Sequence, residues 1–65
     1  MKSLSTDQAF EAMVSFLEQH FERTKSDDIG SLLGDLRILE DGTTADPAAW
    51  VEWLRCVEKA VGDTL

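Results

Sequence analysis

A chain of 65 residues builds one domain at most, and its net charge of −7 narrows what that domain can meet. The six basic residues (Lys2, Arg23, Lys25, Arg37, Arg55 and Lys59) are scattered, which excludes a nucleic-acid interface and disfavours an anionic membrane surface. The charge either steers the chain toward a basic protein partner or serves solubility alone.

Cys56 and His20 are the only residues of their kinds, so neither an internal disulfide nor a structural zinc site is available. A core this small supplies about 3–5 kcal/mol without such a staple, so packed helices or an association must supply the stability. The first residues, "MKSLSTDQAF", contain no apolar run of signal-peptide type, and no segment reaches the roughly 18 apolar residues of a membrane span. The expectation is a cytoplasmic, single helical domain over 1–65 whose residues 1–5 are disordered.

The first element is "TDQAFEAMVSFLEQHFERT", a helix over about 7–24. Thr6 is its expected N-cap, and Asp7 favours the positive end of the helix dipole. At 100° per residue Phe10, Met13, Val14, Leu17 and Phe21 share a face, and Ala9, Ala12, Phe16 and His20 widen it. That apolar arc covers half the circumference, as expected for a helix on which two others pack; a homodimer or partner surface is the alternative. Glu11, Ser15, Glu18 and Glu22 take the opposite face. Glu18 and Glu22 form an i,i+4 like-charge pair that weakens an isolated helix, and no Lys or Arg within the stripe offsets it; the stripe reads as a solvated face or, alternatively, as a docking face for a basic partner.

The second element runs over about 27–38, capped by Ser26 and ending near Leu39. Asp27 and Asp28 occupy its first turn, and Ile29, Leu32, Leu33 and Leu36 form its core stripe. Gly30 and Gly34 lie about a third of a turn off that stripe. Each costs about 1 kcal/mol relative to alanine. The pattern predicts a close approach at both glycines by the first connection, the third helix or a second chain.

In the connection "EDGTTADP", Asp41-Gly42 marks a turn, and Asp46-Pro47 reads as an N-cap followed by proline at the first helical position. The third helix covers about 47–61. Trp50, Trp53, Leu54, Val57, Ala60 and Val61 share its apolar face, Val51 sits alone among the polar residues, and Gly62 is placed as the C-cap glycine. With no strand alternation and no repeat, the fold class is all-α, a small three-helix bundle.

The chain lacks the groups catalysis requires: His20 reads as a boundary residue with one satisfied hydrogen bond, and Cys56 as a small hydrophobe at the edge of the third helix's stripe. No nucleotide, hydrolase or metalloprotease motif occurs. Asp28 and Asp35 lie about 10 Å apart along a helix, too far to share one calcium ion. The expectation is therefore no enzyme, no metal and no cofactor. The candidate protein-binding residues are Glu11, Glu18 and Glu22, with Asp28 and Asp35 secondary, and Gly30 and Gly34 as close-approach positions.

The segments "SDDIGSLLGDL", "DGTTADPAAWVEWL" and "CVEKAV" give residues 9–61 a resemblance to small acidic bacterial immunity-type proteins associated with contact-dependent inhibition or polymorphic toxins. The resemblance implies a cytoplasmic protein that neutralises a toxin by binding it. It assigns no binding residue to any position here. The reading from a different class is a structural homo-oligomer, a homodimer for example, with no enzymatic role.

Overall fold

The computed structural model describes residues 3–62, in which three helices follow one another: α1 (Thr6–Thr24), α2 (Asp27–Leu36) and α3 (Pro47–Gly62). The all-α, three-helix architecture expected from the periodicity is the one adopted.

The cap of α1 is Ser5 rather than Thr6. Ser5 Oγ accepts the Gln8 amide at 3.1 Å, and Gln8 Oε1 accepts the Ser5 amide at 3.0 Å. This reciprocal box needs Glu or Gln three residues after the cap. Gln8 stands in that position for Ser5, whereas Thr6 would be offered Ala9. Of the segment expected to be disordered, residues 1 and 2 lie outside the described residues, and Ser5 belongs to the cap.

Lys25 ends α1 in the left-handed region (φ 53, ψ 31), its amide bonded to the Phe21 carbonyl at 2.7 Å. That conformation costs a non-glycine residue about 1 kcal/mol. Lys25 Nζ lies 5.5 Å from the Phe21 ring centroid and 3.3 Å from Glu22 Oε2, which ties the side chain to the helix it terminates. Only Lys25 and Ser26 separate α1 from α2, and Ser26 Oγ accepts the Ile29 amide.

The second helix stops at Leu36, short of the 38 or 39 that the leucine spacing suggests. Arg37 is extended (ψ 132), and the residues after it turn back in a hairpin whose return arm bonds to Arg37 and to the last turn of α2. Ile38 and Thr44 form an antiparallel bridge. Leu39 donates to Thr43 at 2.7 Å, Gly42 to Leu39 at 2.9 Å and Ala45 to Arg37 at 2.7 Å. This is a three-residue hairpin loop, Glu40-Asp41-Gly42, whose glycine takes the positive φ (83°) such a loop requires.

Thr44 is 1% exposed, and its hydroxyl donates to the Asp46 carbonyl at 2.6 Å. Asp46 caps α3 as expected, with Oδ1 accepting the Ala48 amide at 3.1 Å ahead of Pro47 at the first helical position. Gly62 is the last helical residue and has no left-handed φ, so it does not act as the C-cap glycine.

Phe10, 3% exposed, is the centre of the core. The rings of Trp50 and Trp53 meet it edge-on, with centroids 5.1 and 5.5 Å away and interplanar angles of 71° and 75°. Each such pair adds about 0.5–1.5 kcal/mol beyond the area it buries. Leu36 is the second buried apolar side chain, at 7%.

Elsewhere the expected core is only partly covered. Leu32, Leu54 and Val61 of the predicted stripes are exposed, as are Val51 and Phe16. The chain exposes 5345 Å2, whereas a compact chain of 7.2 kDa exposes about 4,100 Å2. Its radius of gyration is 13.0 Å against about 10.7 Å for a compact domain of this length. The three helices therefore make an open arrangement with surface to spare.

Candidate functional site: an acid-rimmed groove between α1 and α2

A groove of about 610 Å3 lies between α1 and the end of α2; of the exposed large apolar residues only Ile38 lines it. Phe10 and Val14 of α1 and Leu33 and Leu36 of α2 give it apolar walls, extended by Ile38 from the hairpin. Glu11, Ser15 and Glu18 line it from α1, and Gly34 and Arg37 from the other side. The helical repeat explains the arrangement. Glu11 and Glu18 are seven residues apart, two turns along one edge of α1, and Val14 lies on the same edge nearer the core face.

A smaller cleft of about 240 Å3 shares Phe10, Glu11 and Ile38 and adds Asp7, Gly42 and Trp50. Ile38 stands between the two and is half exposed. Both clefts therefore have an apolar interior with carboxylates at the α1 edge.

The sequence-predicted residues separate into two sets. Glu11, Glu18 and Gly34 line the groove together. Glu22, Asp28 and Asp35 do not. Glu22 lies one turn beyond Glu18 and pairs with Lys25, so a cation at the helix end offsets part of the stripe's charge. Both partners of that pair are largely exposed, so it contributes little to stability. Asp28 sits exposed in the first turn of α2, next to the helix dipole. Asp35 is exposed, and its main-chain carbonyl accepts the Asp46 amide at 3.0 Å.

The two glycines also differ. A Cβ at Gly30 would lie 3.1 Å from Phe21 Cε1, so the close neighbour there is α1 itself rather than the connection, α3 or a second chain. At Gly34 a Cβ would meet nothing within 4 Å. The expectation of close approach does not describe Gly34, which opens onto the groove.

Sequence reasoning also passed over Arg37, Ile38 and Thr44. The first two were assigned to the end of a helix, where nothing distinguished them from its surface residues. Thr44 gave no signal at all, because the pairing that buries it is set by main-chain bonds across the hairpin.

His20 and Asp41, outside the groove, have local partners, whereas the Trp53 indole N–H has none among the described residues. His20 Nδ1 lies 3.3 Å from Arg23 Nη2, one turn along α1. Cys56 is exposed, not packed at a stripe edge. Asp41 Oδ1 accepts both the hydroxyl and the amide of Thr43, at 2.6 and 3.0 Å, and these two donors hold its carboxyl below the usual carboxylate range. Trp53 Nε1 is buried with no hydrogen-bond partner among the described residues.

Among the described residues no three His, Cys, Asp or Glu side chains are grouped to hold a metal ion, and no helix is long and apolar enough to cross a membrane. No protein-family model, curated protein or solved structure matches the chain.

Proposed function

We propose that this protein is a small acidic protein-binding module of the immunity or inhibitor type, which acts in the cytoplasm by masking a basic surface of a partner. The observation that carries the reading is the pairing of Glu11 and Glu18 with an open apolar groove. Acids at a rim speed encounter and select partners of opposite charge, while apolar walls supply the affinity.

The test is in-cell photo-crosslinking from a benzophenone amino acid at Ser15, which lies between the two acids on the groove wall. The expected adduct is with a protein of basic surface. It should disappear in a Glu11→Lys/Glu18→Lys variant whose circular dichroism is unchanged. The inhibitor form of the reading further requires that the captured protein slows growth when expressed alone and that co-expression of this chain relieves it. Adducts only between copies of this chain would favour a homo-oligomer, a reading that the exposed Phe16 and Leu54 also serve. Sedimentation at micromolar concentration separates the two: a monomer removes the homo-oligomer.

A further inference from the structure

We propose that Asp41-Gly42, at the tip of the hairpin between α2 and α3, is a site of backbone self-modification. The pair rearranges to isoaspartate when the hairpin opens and is held back while the hairpin is closed. The proposal is independent of the partner-binding reading and of the groove.

The reaction uses only groups of the chain and water. The Gly42 amide nitrogen, having given up its proton, attacks Cγ of the protonated Asp41 carboxyl. A C–N bond forms and the carboxyl C–O bond breaks. The carboxyl OH and the amide proton leave as water, closing a five-membered succinimide. Water then adds to either imide carbonyl. Opening at Cγ restores aspartate, whereas opening at the main-chain carbonyl routes the backbone through Cβ and Cγ with no net gain or loss of atoms.

This pair stands alone in the chain. There is no asparagine, and Asp41 is the only aspartate followed by glycine. Glycine matters because it has no side chain to crowd the attack. Asp46 precedes Pro47, whose nitrogen has no proton to lose.

The closed hairpin sets both reacting groups against the reaction. The Gly42 amide donates to the Leu39 carbonyl at 2.9 Å, so its proton is engaged. Asp41 Oδ1 accepts the Thr43 hydroxyl at 2.6 Å and the Thr43 amide at 3.0 Å, which pins the side chain. The same two donors favour the ionised carboxyl, and that form is the poorer electrophile because its leaving group would be oxide. Ring closure therefore requires these three bonds to break, a local opening of the hairpin. Isoaspartate, once formed, adds an atom to the main chain of a three-residue loop. Gly42, at φ 83°, is then displaced from Leu39, and the Leu39–Thr43 bond across the loop loses its register.

The experiment ages the purified full chain at neutral pH, folded and in urea. Isoaspartate is quantified in the tryptic peptide 38–55 by electron-transfer fragmentation. The unfolded chain is expected to form it about tenfold faster than the folded one, since three hydrogen bonds restrain the reacting groups. Thr43→Val, which deletes one donor, should raise the folded rate about threefold and leave the rate in urea unchanged. Equal rates in the folded and unfolded chain, or no response to Thr43→Val, would overturn protection by the hairpin. No isoaspartate in the urea-unfolded chain would overturn the site itself. Asp41→Glu, which needs a less favourable six-membered ring, should abolish the product; product that survives it would remove Asp41 as the source. The aged isomer, separated by chromatography, should lose hydrogen-exchange protection at the Gly42 and Ala45 amides. Retained protection there would overturn the effect on the hairpin.

Discussion

The two sides of α1 solve the same problem differently. Toward α3, Phe10 is closed in by two indole rings meeting it edge-on, and almost none of it reaches water. Toward α2, the same helix leaves an open apolar groove with carboxylates along it. The α3 side is a closed aromatic cluster, whereas the α2 side combines packing at Phe21 and Leu36 with a cleft beside Glu11 and Glu18. Phe10 belongs to both, since its ring also lines that cleft. In so small a protein the aromatic cluster must supply much of the stability.

Perturbing the two sides should therefore have opposite consequences, and the largest effect belongs to the aromatic one. Phe10→Ala removes the ring that both tryptophans contact. Such truncations cost about 3–5 kcal/mol, which is the whole stability expected of a core this size. The variant should show no cooperative thermal transition by circular dichroism; a Tm within a few degrees of the parent would refute the central role given to Phe10.

On the same side, Trp53→Phe removes a buried N–H with no partner while keeping an aromatic ring against Phe10. Leaving such a group unsatisfied costs about 1–3 kcal/mol, set against the apolar area lost with the smaller ring. The net expectation is an increase in stability of about 1 kcal/mol, measured by urea denaturation; a decrease of that size would mean that the indole's packing outweighs its unpaired donor.

On the groove side the two glycines make an internal control. Gly34→Ala should stabilise by up to about 1 kcal/mol, because the new methyl meets open space. Gly30→Ala should gain less, because the Phe21 ring must give way by a few tenths of an ångström. The comparison is read by paired urea titrations, and an equal gain at both positions would show that Phe21 moves freely.

The smallest expected effect lies outside both regions. Thr43→Val deletes the hydroxyl that is the main cause of the lowered Asp41 pKa, so that pKa should rise toward the ordinary carboxylate value while the amide bond keeps part of the shift. The sign follows from linkage. A carboxyl with a depressed folded pKa contributes stability that is present above its unfolded pKa and lost as pH falls through the folded one. The shift is read by NMR titration of the Asp41 carboxyl carbon, and no change would mean that the hydroxyl bond is not kept in solution.

What the sequence made legible was whatever depends on residues close together in the chain. The helix positions, the Asp46-Pro47 start, the turn at Asp41-Gly42 and the common edge of Glu11 and Glu18 all follow from spacing of a few residues. The rest depended on tertiary geometry. The stripes that include Leu32 on α2 and Leu54 and Val61 on α3 were sound as periodicity, but three helices of this length do not cover every apolar residue they carry. Arg37 and Ile38 continue the apparent helix, yet main-chain pairing across the hairpin draws them out of it. Gly30 and Gly34 look alike as text. Only the position of Phe21 tells them apart.

The hairpin between α2 and α3 has one further effect. The Ala45 amide bonds to Arg37 and the Asp46 amide to Asp35, so the first residue capping α3 is fastened to the last turn of α2. The connection works as a bracket rather than a tether. These main-chain bonds hold the start of α3 against α2 without using any α3 side chain, so trimming that helix's apolar face should loosen it without re-aiming it.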